Sequence, residues 1–414
     1  MTISLDLKMA WRNIWRNTRR TIITAIAITF ACIFLIFMFS WQIGSYDSMI
    51  NASVKINTGH IQIQHKDYLK NQAIHKTVSK PNTLTNLLNT TPHIENYSFR
   101  ARAFSLVSSK DRTYGVMIMG VDPIKEKKVS TIEKLIRQGE YLSASDSDSI
   151  IIGALLAKNL RVQLNDELTI LGQGKEGSVA ATIVTVKGIF ESGMDDVDRY
   201  IMYMPLFYFQ DVYTMQGDVH EIVINATYLS KVFEIKKNLL SYMANDPALA
   251  ELAVLDWMTL TPGLVQSISL DLISGVIFYI ILIIVVAFSI FNTFLMAVFE
   301  RTREFGVMMA LGVTPRRLTK ILLTESLMLT AIGVVTGVII GSAITYYFQV
   351  YGFDISGMSE LLTHYGISGK MYCRLTLLTA LAGPVLVFMI TFLIALYPAI
   401  KVKNLRPIDA LVFH

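Results

Sequence analysis

The chain has 414 residues, of which 52% are hydrophobic and 17% charged, against roughly 25% charged in soluble domains. It reads as an integral membrane protein with a soluble part. The net charge of +5 gathers near the predicted membrane ends, where it marks topology rather than a nucleic-acid partner. Cys32 lies inside an apolar run, so it and Cys373 form neither a disulfide framework nor a metal pair.

Residues 1–20 predict a basic amphipathic helix on the cytoplasmic side. Leu7, Trp11, Ile14, Trp15 and Thr18 recur at helical spacing, and Lys8, Arg12, Arg16 and Arg19 share an adjoining face. Such a helix lies flat in the headgroup layer with its indoles at the interface. The apolar stretch behind it is too long for a cleavable signal. Residues 21–43 form the first predicted span. Thr21 to Trp41 holds no charged residue, as expected where one charge at the centre costs about 2.5–3.5 kcal/mol. The basic flank sets the N-terminus inside and everything after Gln42 outside.

Residues 44–271 form a large external α+β domain. Ile61 and Ile63 alternate with Gln62 and Gln64, as in a half-buried strand. Further strands are expected over Tyr114 to Val121, Ser149 to Ile152, Glu221 to Asn225 and Glu251 to Trp257. Leu168 to Leu171 and Val179 to Phe190 make a hairpin, and helices cover Gly153 to Leu160 and Ser230 to Met243. The second span is 272–299, with Ser289, Asn292 and Thr293 near its inner end, polar groups that bond to a neighbouring helix.

Residues 300–321, ERTREFGVMMALGVTPRRLTKI, turn the chain straight back at the membrane. Arg301, Arg303, Arg316, Arg317 and Lys320 place this turn in the cytoplasm. Glu300 and Glu304 are one helical turn apart with Arg303 beside them. Gly312 breaks the helix, and Thr314 and Pro315 start the next. A short helix with Met308, Met309 and Leu311 exposed would dock in a groove of a soluble partner; the alternative is a plain inter-helix loop. The third span, 322–348, holds Gly333, Gly337 and Gly341 four apart, a ladder that lets another helix approach closely. Residues 349–374 return outside. The fourth span is 375–397, kinked by Pro384 and ended by Pro398. Lys401, Lys403 and Arg406 keep the tail, 398–414, inside.

Gly172, Gly174 and Gly177 match G-x-G-x-x-G, but the segment joins two strands rather than a strand and a helix. It reads as a flexible hairpin tip. No phosphate loop exists, so any ATP belongs to a separate subunit. His60, His65, His75, His93, His220, His364 and His414 show no metal spacing. Asp195, Asp196 and Asp198 read as a solvated acidic loop. No catalytic constellation appears, and the chain reads as non-enzymatic.

Five segments together carry a resemblance over nearly the whole chain. They are GVMIMGVDP (115–123), IGALLAKNLRVQLNDELTI (152–170), VKGIFES (186–192), the 300–315 turn, and Tyr397-Pro398-Ala399 with Pro407, Ala410 and Leu411. In order and layout they resemble the FtsX-like ABC-transporter permeases, and among them the LolC/LolE lipoprotein-releasing subunits. The resemblance implies four transmembrane helices plus an α+β extracytoplasmic domain inserted between the first and second spans, in a bacterial inner membrane. It implies a second permease chain, a cytosolic ABC ATPase dimer that binds the ATP and Mg, and no cofactor in this chain. The permease transmits ATPase motion to the external domain and extracts a lipoprotein or lipidic substrate from the outer leaflet. Glu300, Arg303, Glu304, Gly312, Thr314 and Pro315 match the family's coupling segment. Phe34, Phe37, Met38, Trp41 and Phe278 would line the lipid-facing cavity. The sequence departs from the family at 172–178, which is short and lacks the proline and aromatic residues of a hook for a periplasmic carrier. An FtsX-like platform that activates a wall hydrolase is the competing expectation. A MacB-type pump is disfavoured because those chains carry their own ATPase.

Overall fold

The computed structural model describes residues 2–354 and 370–403. Arg406, Pro407, Ala410, Leu411, His364 and His414, and most of the 349–374 loop, lie outside the described residues. The chain divides into a helical unit (Met1–Tyr46, Ser267–Phe353, Met371–His414) and an αβ unit (Asp47–Gln266, Asp354–Lys370).

The helical unit opens with α1 (Thr2–Arg16) and α2 (Thr18–Ile56). Asn17 separates them, so Thr18 starts α2 rather than ending the amphipathic helix. Ala10 and Ile14 are buried, while Leu7, Trp11 and Trp15 stay exposed. The predicted apolar stripe is therefore split between a protein-facing and an outward-facing edge. Next come α4 (Pro262–Glu300), α5 (Thr302–Ala310), α6 (Pro315–Tyr351) and α7 (Leu377–Lys403); α3 (Pro123–Val129) belongs to the αβ unit. The helices α2, α4, α6 and α7 are long and apolar enough to cross a membrane. Each exceeds the span expected from apolar residues alone, because helical hydrogen bonding runs on into polar sequence once a helix is nucleated. Helix α4 begins ten residues before the expected 272, and α7 continues past Pro398 to Lys403.

Side chains from α2, α4, α6 and α7 meet in one core that includes Ile28, Cys32, Leu35, Ile290, Phe294, Leu329 and Val387. The glycine ladder of α6 lies on α2. A methyl on Gly333 would sit 2.8 Å from Ile28 Cβ, and one on Gly337 2.6 Å from Cys32 Cβ; Gly341 faces Ile33. The Thr29 hydroxyl donates to the Gly333 carbonyl at 3.1 Å. Near the other end of α4, Thr293 bonds back to Ser289 of its own helix (2.9 Å) and Asn292 is exposed. These polar groups are not the expected bridge to a neighbour.

The αβ unit is built on ten strands: β1 (Ile61–His65), β2 (Ile94–Ser108), β3 (Thr113–Val121), β4 (Ile136–Gly139), β5 (Ser149–Gly153), β6 (Glu167–Gln173), β7 (Val179–Phe190), β8 (Ile201–Pro205), β9 (Glu221–Ala226) and β10 (Leu252–Asp256). Their order is β10-β1-β9-β2-β3-β8-β5-β7-β4, with β6 pairing β2 and β7. Most neighbours are antiparallel, but β3–β8 and β5–β7 are parallel. Both faces are covered. Strand β3 sends Val116 and Ile118 into one core and Met119 and Val121 into the other; β5 splits Ile150 and Ile152 from Ile151 in the same way.

Three departures from expectation stand out. Gln62 and Gln64 are buried along with Ile61 and Ile63; Gln62 Nε2 donates to the Thr58 carbonyl at 2.8 Å. Asp198 is buried on the helix Asp195–Tyr200, where it accepts from the Ser192 and Gly193 amides at 2.8 and 3.2 Å; this is a backbone clasp rather than a solvated loop. The hairpin tip is tethered rather than flexible. Gly177 takes φ +84°, the Lys175 amide donates to the Tyr213 carbonyl at 2.9 Å, and Lys175 Nζ pairs with Asp218.

Helix α3 (Pro123–Val129) starts with Asp122 capping the Ile124 and Lys125 amides at 3.0 and 3.2 Å. It carries Glu126, which is fully buried and takes Arg100 of β2 in a two-pronged ion pair (2.5 and 3.1 Å). The Arg100 guanidinium also bonds the Asn57 carbonyl. Arg102 reaches Glu221 at 3.0 Å and the Asn57 side chain at 3.1 Å.

Candidate functional site

Two places in the helical unit collect the residues singled out in the sequence. They lie at opposite ends of α2: Arg20 and Tyr46 are separated by about 39 Å of helix.

The first is the turn between α4 and α6. Helix α4 ends at Glu300 and α5 starts at Thr302, so Arg301 sits at the corner. Its side chain is only 8% exposed, and one guanidinium nitrogen donates to both Glu325 oxygens at 2.9 Å. Arg301 Nε also stands 3.8 Å from Glu304. Glu304 in turn receives Arg16 of α1 at 2.6 and 2.8 Å, and Glu300 receives Arg20 of α2 at 2.8 Å. Charges therefore alternate along Arg16, Glu304, Arg301 and Glu325, tying α1 to α5 and α5 to α6. Phe305 packs with Val298, Leu318 and Leu322, and Met308 and Met309 lean on that cluster. Only Leu311 of the expected apolar trio is strongly exposed, at 80%; the outward apolar surface is Val307 and Leu311. A hollow of about 400 Å³ opens between Met9, Asn13, Phe305, Met308, Leu318 and Ile321.

Gly312 has φ +92°, a conformation that favours glycine, and nothing lies within 4 Å of where its Cβ would be. Glycine is required there by the backbone and not by space. The Thr314 carbonyl accepts from the Arg317 and Leu318 amides at 3.0 and 3.2 Å, and Pro315 opens α6. Arg303 is exposed. The sequence placed these residues on one turn, but it gave no sign of Arg16, Arg20 or Glu325 as their partners. The available signal was matched spacing, since Arg16 and Arg20 are four apart, as are Glu300 and Glu304.

The second place is an open groove of about 510 Å³ on α2 and α4, lined by Met38, Trp41, Phe278 and Met371 below a polar rim of Gln42, Tyr46, Asp271 and Tyr279. Three of the five predicted cavity residues meet here. Phe34 stacks on Phe30 a turn deeper in the helix. Phe37 precedes Met38 and lies about 100° from it around the helix, where it packs on Phe348 and Phe353. The polar rim was not foreseen. The Tyr46 hydroxyl donates to Asp271 at 2.5 Å, Gln42 Nε2 donates to the Tyr46 oxygen at 2.8 Å, and the Tyr279 hydroxyl donates to Gln42 Oε1 at 2.9 Å. Helical spacing of Met38, Gln42 and Tyr46 was the legible signal. Among the described residues, no group of three or more His, Cys, Asp or Glu could hold a metal.

A family model described as MacB-like periplasmic core domain matches residues 21–239, more than half of the chain, and one described as FtsX-like permease C-terminal matches 276–407. The lipoprotein-releasing system transmembrane protein LolC of Xylella fastidiosa (strain 9a5c) is 23% identical over 320 residues, spanning 73% of this chain and 74% of that protein. The corresponding LolE of Haemophilus influenzae is 22% identical over 352 residues, 83% of each chain. The periplasmic region of MacB from Actinobacillus actinomycetemcomitans superposes with a TM-score of 0.37 at 14% identity, over 53% of this chain and 98% of that one.

Proposed function

The chain belongs to the FtsX-like ABC-transporter permeases that carry a MacB-like periplasmic core domain, and from that premise we propose that it is the membrane subunit of a complex that extracts lipoproteins or related lipidic substrates from the outer leaflet of a bacterial inner membrane. The αβ unit is extracytoplasmic, inserted between the first two spans, and both chain ends are cytoplasmic. ATP and Mg are held by a cytosolic ATPase dimer. It docks on Val307 and Leu311 with Glu300, Arg303, Glu304, Gly312, Thr314 and Pro315 shaping the coupling segment. A second permease chain completes the membrane part. This chain performs no catalysis; it passes motion from the coupling segment to the external domain.

The observation that carries the lipidic reading is the groove on α2 and α4. Its walls are apolar, its rim is polar, and it is open rather than sealed by helix packing, which suits an amphiphile entering from the bilayer. A signalling platform would have no use for such an opening between its spans. The short, tethered hairpin tip at 172–178 argues that a periplasmic carrier, if one is used, docks elsewhere.

The test is mass spectrometry of proteins and lipids that copurify with the chain from native membranes. An ATPase with a second permease and a lipid-anchored protein is the expected result. An ATPase with a cell-wall hydrolase and no lipidic cargo would replace the extraction reading by signalling.

A further inference from the structure

We infer that the groove selects an amphiphile whose headgroup carries a primary ammonium, held by Asp271. The inference rests on the groove being the substrate cavity proposed above and names the chemistry that it recognises.

A count of protons leads there. The Tyr46 hydroxyl spends its proton on Asp271 and the Tyr279 hydroxyl spends its own on Gln42 Oε1. The Gln42 amide directs its protons to the Tyr46 oxygen (2.8 Å) and toward Asp271 (3.4 Å). The protons of Gln42, Tyr46 and Tyr279 are thus engaged within the rim, while the neutral Ser45 hydroxyl, between Gln42 and Tyr46 on α2, has no partner among the described residues. What remains for a ligand is acceptor capacity, chiefly the second oxygen of Asp271 and the lone pairs of Tyr279. Among the described residues, no lysine, arginine or histidine lines the groove. A phosphate or carboxylate placed here would meet the Asp271 carboxylate and no opposite charge, with the neutral Ser45 hydroxyl as its donor. A primary ammonium has three N–H donors and a charge opposite to Asp271, and charge-assisted bonds of this type are the strong ones. Trp41, Tyr46, Phe278 and Tyr279 add aromatic surface that favours a cation. A quaternary ammonium gains the aromatic contacts but has no N–H to give the carboxylate.

Deeper in the groove the demand reverses. Trp41 Nε1 is buried without a hydrogen-bond partner among the described residues. An indole N–H can only donate, so it suits the ester or amide carbonyl that joins a headgroup to its acyl chains. Asp271 is exposed, so any phosphate attached to the amine can stay in water. The ordered demand is therefore ammonium at the rim, carbonyl at Trp41, and hydrocarbon along Met38 and Phe278. Two sources carry that chemistry: an aminophospholipid and the free N-terminal amine of a lipid-anchored polypeptide.

The experiment is native mass spectrometry of the full-length chain, released from detergent after exposure to defined probes. These are phosphatidylethanolamine, phosphatidylglycerol and phosphatidylcholine of identical chains, and a diacylated cysteinyl peptide with its N-terminus free or acetylated. We expect about tenfold stronger retention of an amine-bearing probe over its amine-blocked or anionic counterpart. We expect Asp271→Asn to abolish the preference, while Tyr46→Phe, which keeps the carboxylate, preserves it. Retention of phosphatidylethanolamine alone assigns the site to a lipid headgroup; retention of the free-amine peptide alone assigns it to a lipid-anchored chain. Equal retention of free and blocked probes by the wild type, or an unchanged preference in Asp271→Asn, overturns the ammonium assignment and leaves the cavity reading standing. Failure to retain any amphiphile overturns both.

Discussion

The two units handle buried and exposed charge in opposite ways. In the αβ unit, Arg100 and Glu126 are removed from water altogether, with 1% and 0% of their side chains exposed. In the helical unit, Arg16 and Glu304 are each about half exposed, at 52% and 48%. A buried pair is costly to form and more costly to break, because the survivor is left as an uncompensated charge. An exposed pair contributes little and exchanges readily with water. The αβ unit is therefore held in one arrangement by its ions. At the turn between α4 and α6 the nearly buried Arg301–Glu325 pair fixes the corner, but the exposed Arg16–Glu304 pair can part and re-form at low cost, which suits a segment proposed to be moved by an ATPase.

The comparison breaks first at Glu126. Glu126→Ala strands Arg100 and should destabilise the αβ unit by about 3–5 kcal/mol, read as the shift of its urea unfolding transition in the purified full-length chain. A loss below 1 kcal/mol would mean that the pair does not organise the unit. Next comes the contact of α2 with α6. Gly337→Ala places a methyl 2.6 Å from Cys32 Cβ, and overpacking of this kind costs about 1–3 kcal/mol. Thermal unfolding in detergent should drop accordingly, and an unchanged transition would show that this contact does not set the stability of the helical unit.

The αβ unit should also lose stability in acid. His220 Nδ1 accepts the Arg102 amide at 2.9 Å, while its Nε2 faces the Ile74 carbonyl at 3.0 Å. The ring is therefore neutral, and burial lowers it to about 4; His60 is lowered by burial in the same way, to about 4. The unfolded chain binds more protons than the folded one between about pH 6.5 and 4. Stability is thus full above 6.5 and falls on acidification, by roughly 1.4 kcal/mol per pH unit for each histidine. Burial alone would raise Asp218, but Lys175, Thr77 and Ser79 hold it below its ordinary 3.8. Its contribution fails only in stronger acid and stays out of this window. His220→Gln should flatten the urea midpoint against pH between 6.5 and 4; an unaltered slope would exclude His220 as a source.

The smallest effect on stability is expected at the exposed pair. Arg16→Ala should cost under about 1 kcal/mol and leave the melting curve nearly unchanged, while loosening α5 from α1. Hydrogen exchange over 302–310 should rise in this variant. Unchanged exchange would show that the Arg16–Glu304 contact does not hold α5.

How much of this was legible follows from what each signal depends on. The spans stand out because a charge in a bilayer is prohibitive, so Thr21 to Trp41 reads plainly. Their ends do not, since a helix continues into polar sequence without penalty in water. Strand β2 alternates Phe99, Ala101 and Ala103 with Arg100 and Arg102, a pattern that suggests a solvent face for the arginines; only the fold brings Glu126 and Glu221 against them. Gln62 and Gln64 suggest a solvent face, yet both are buried. At the turn between α4 and α6, chain position identifies the segment, but Arg16 and Glu304 are 288 residues apart, beyond any local pattern. In the groove the apolar residues announced themselves and the polar rim did not. Gln42, Tyr46 and Asp271 look ordinary until two helices set them side by side.

The most direct test of the central claim is substrate-stimulated ATP hydrolysis by the complex reconstituted in lipid, comparing wild type with Glu304→Lys. The account predicts that the variant assembles and melts like wild type, but that its ATPase no longer responds to lipidic substrate. Wild-type stimulation in Glu304→Lys would contradict the proposal that this turn couples the permease to its ATPase.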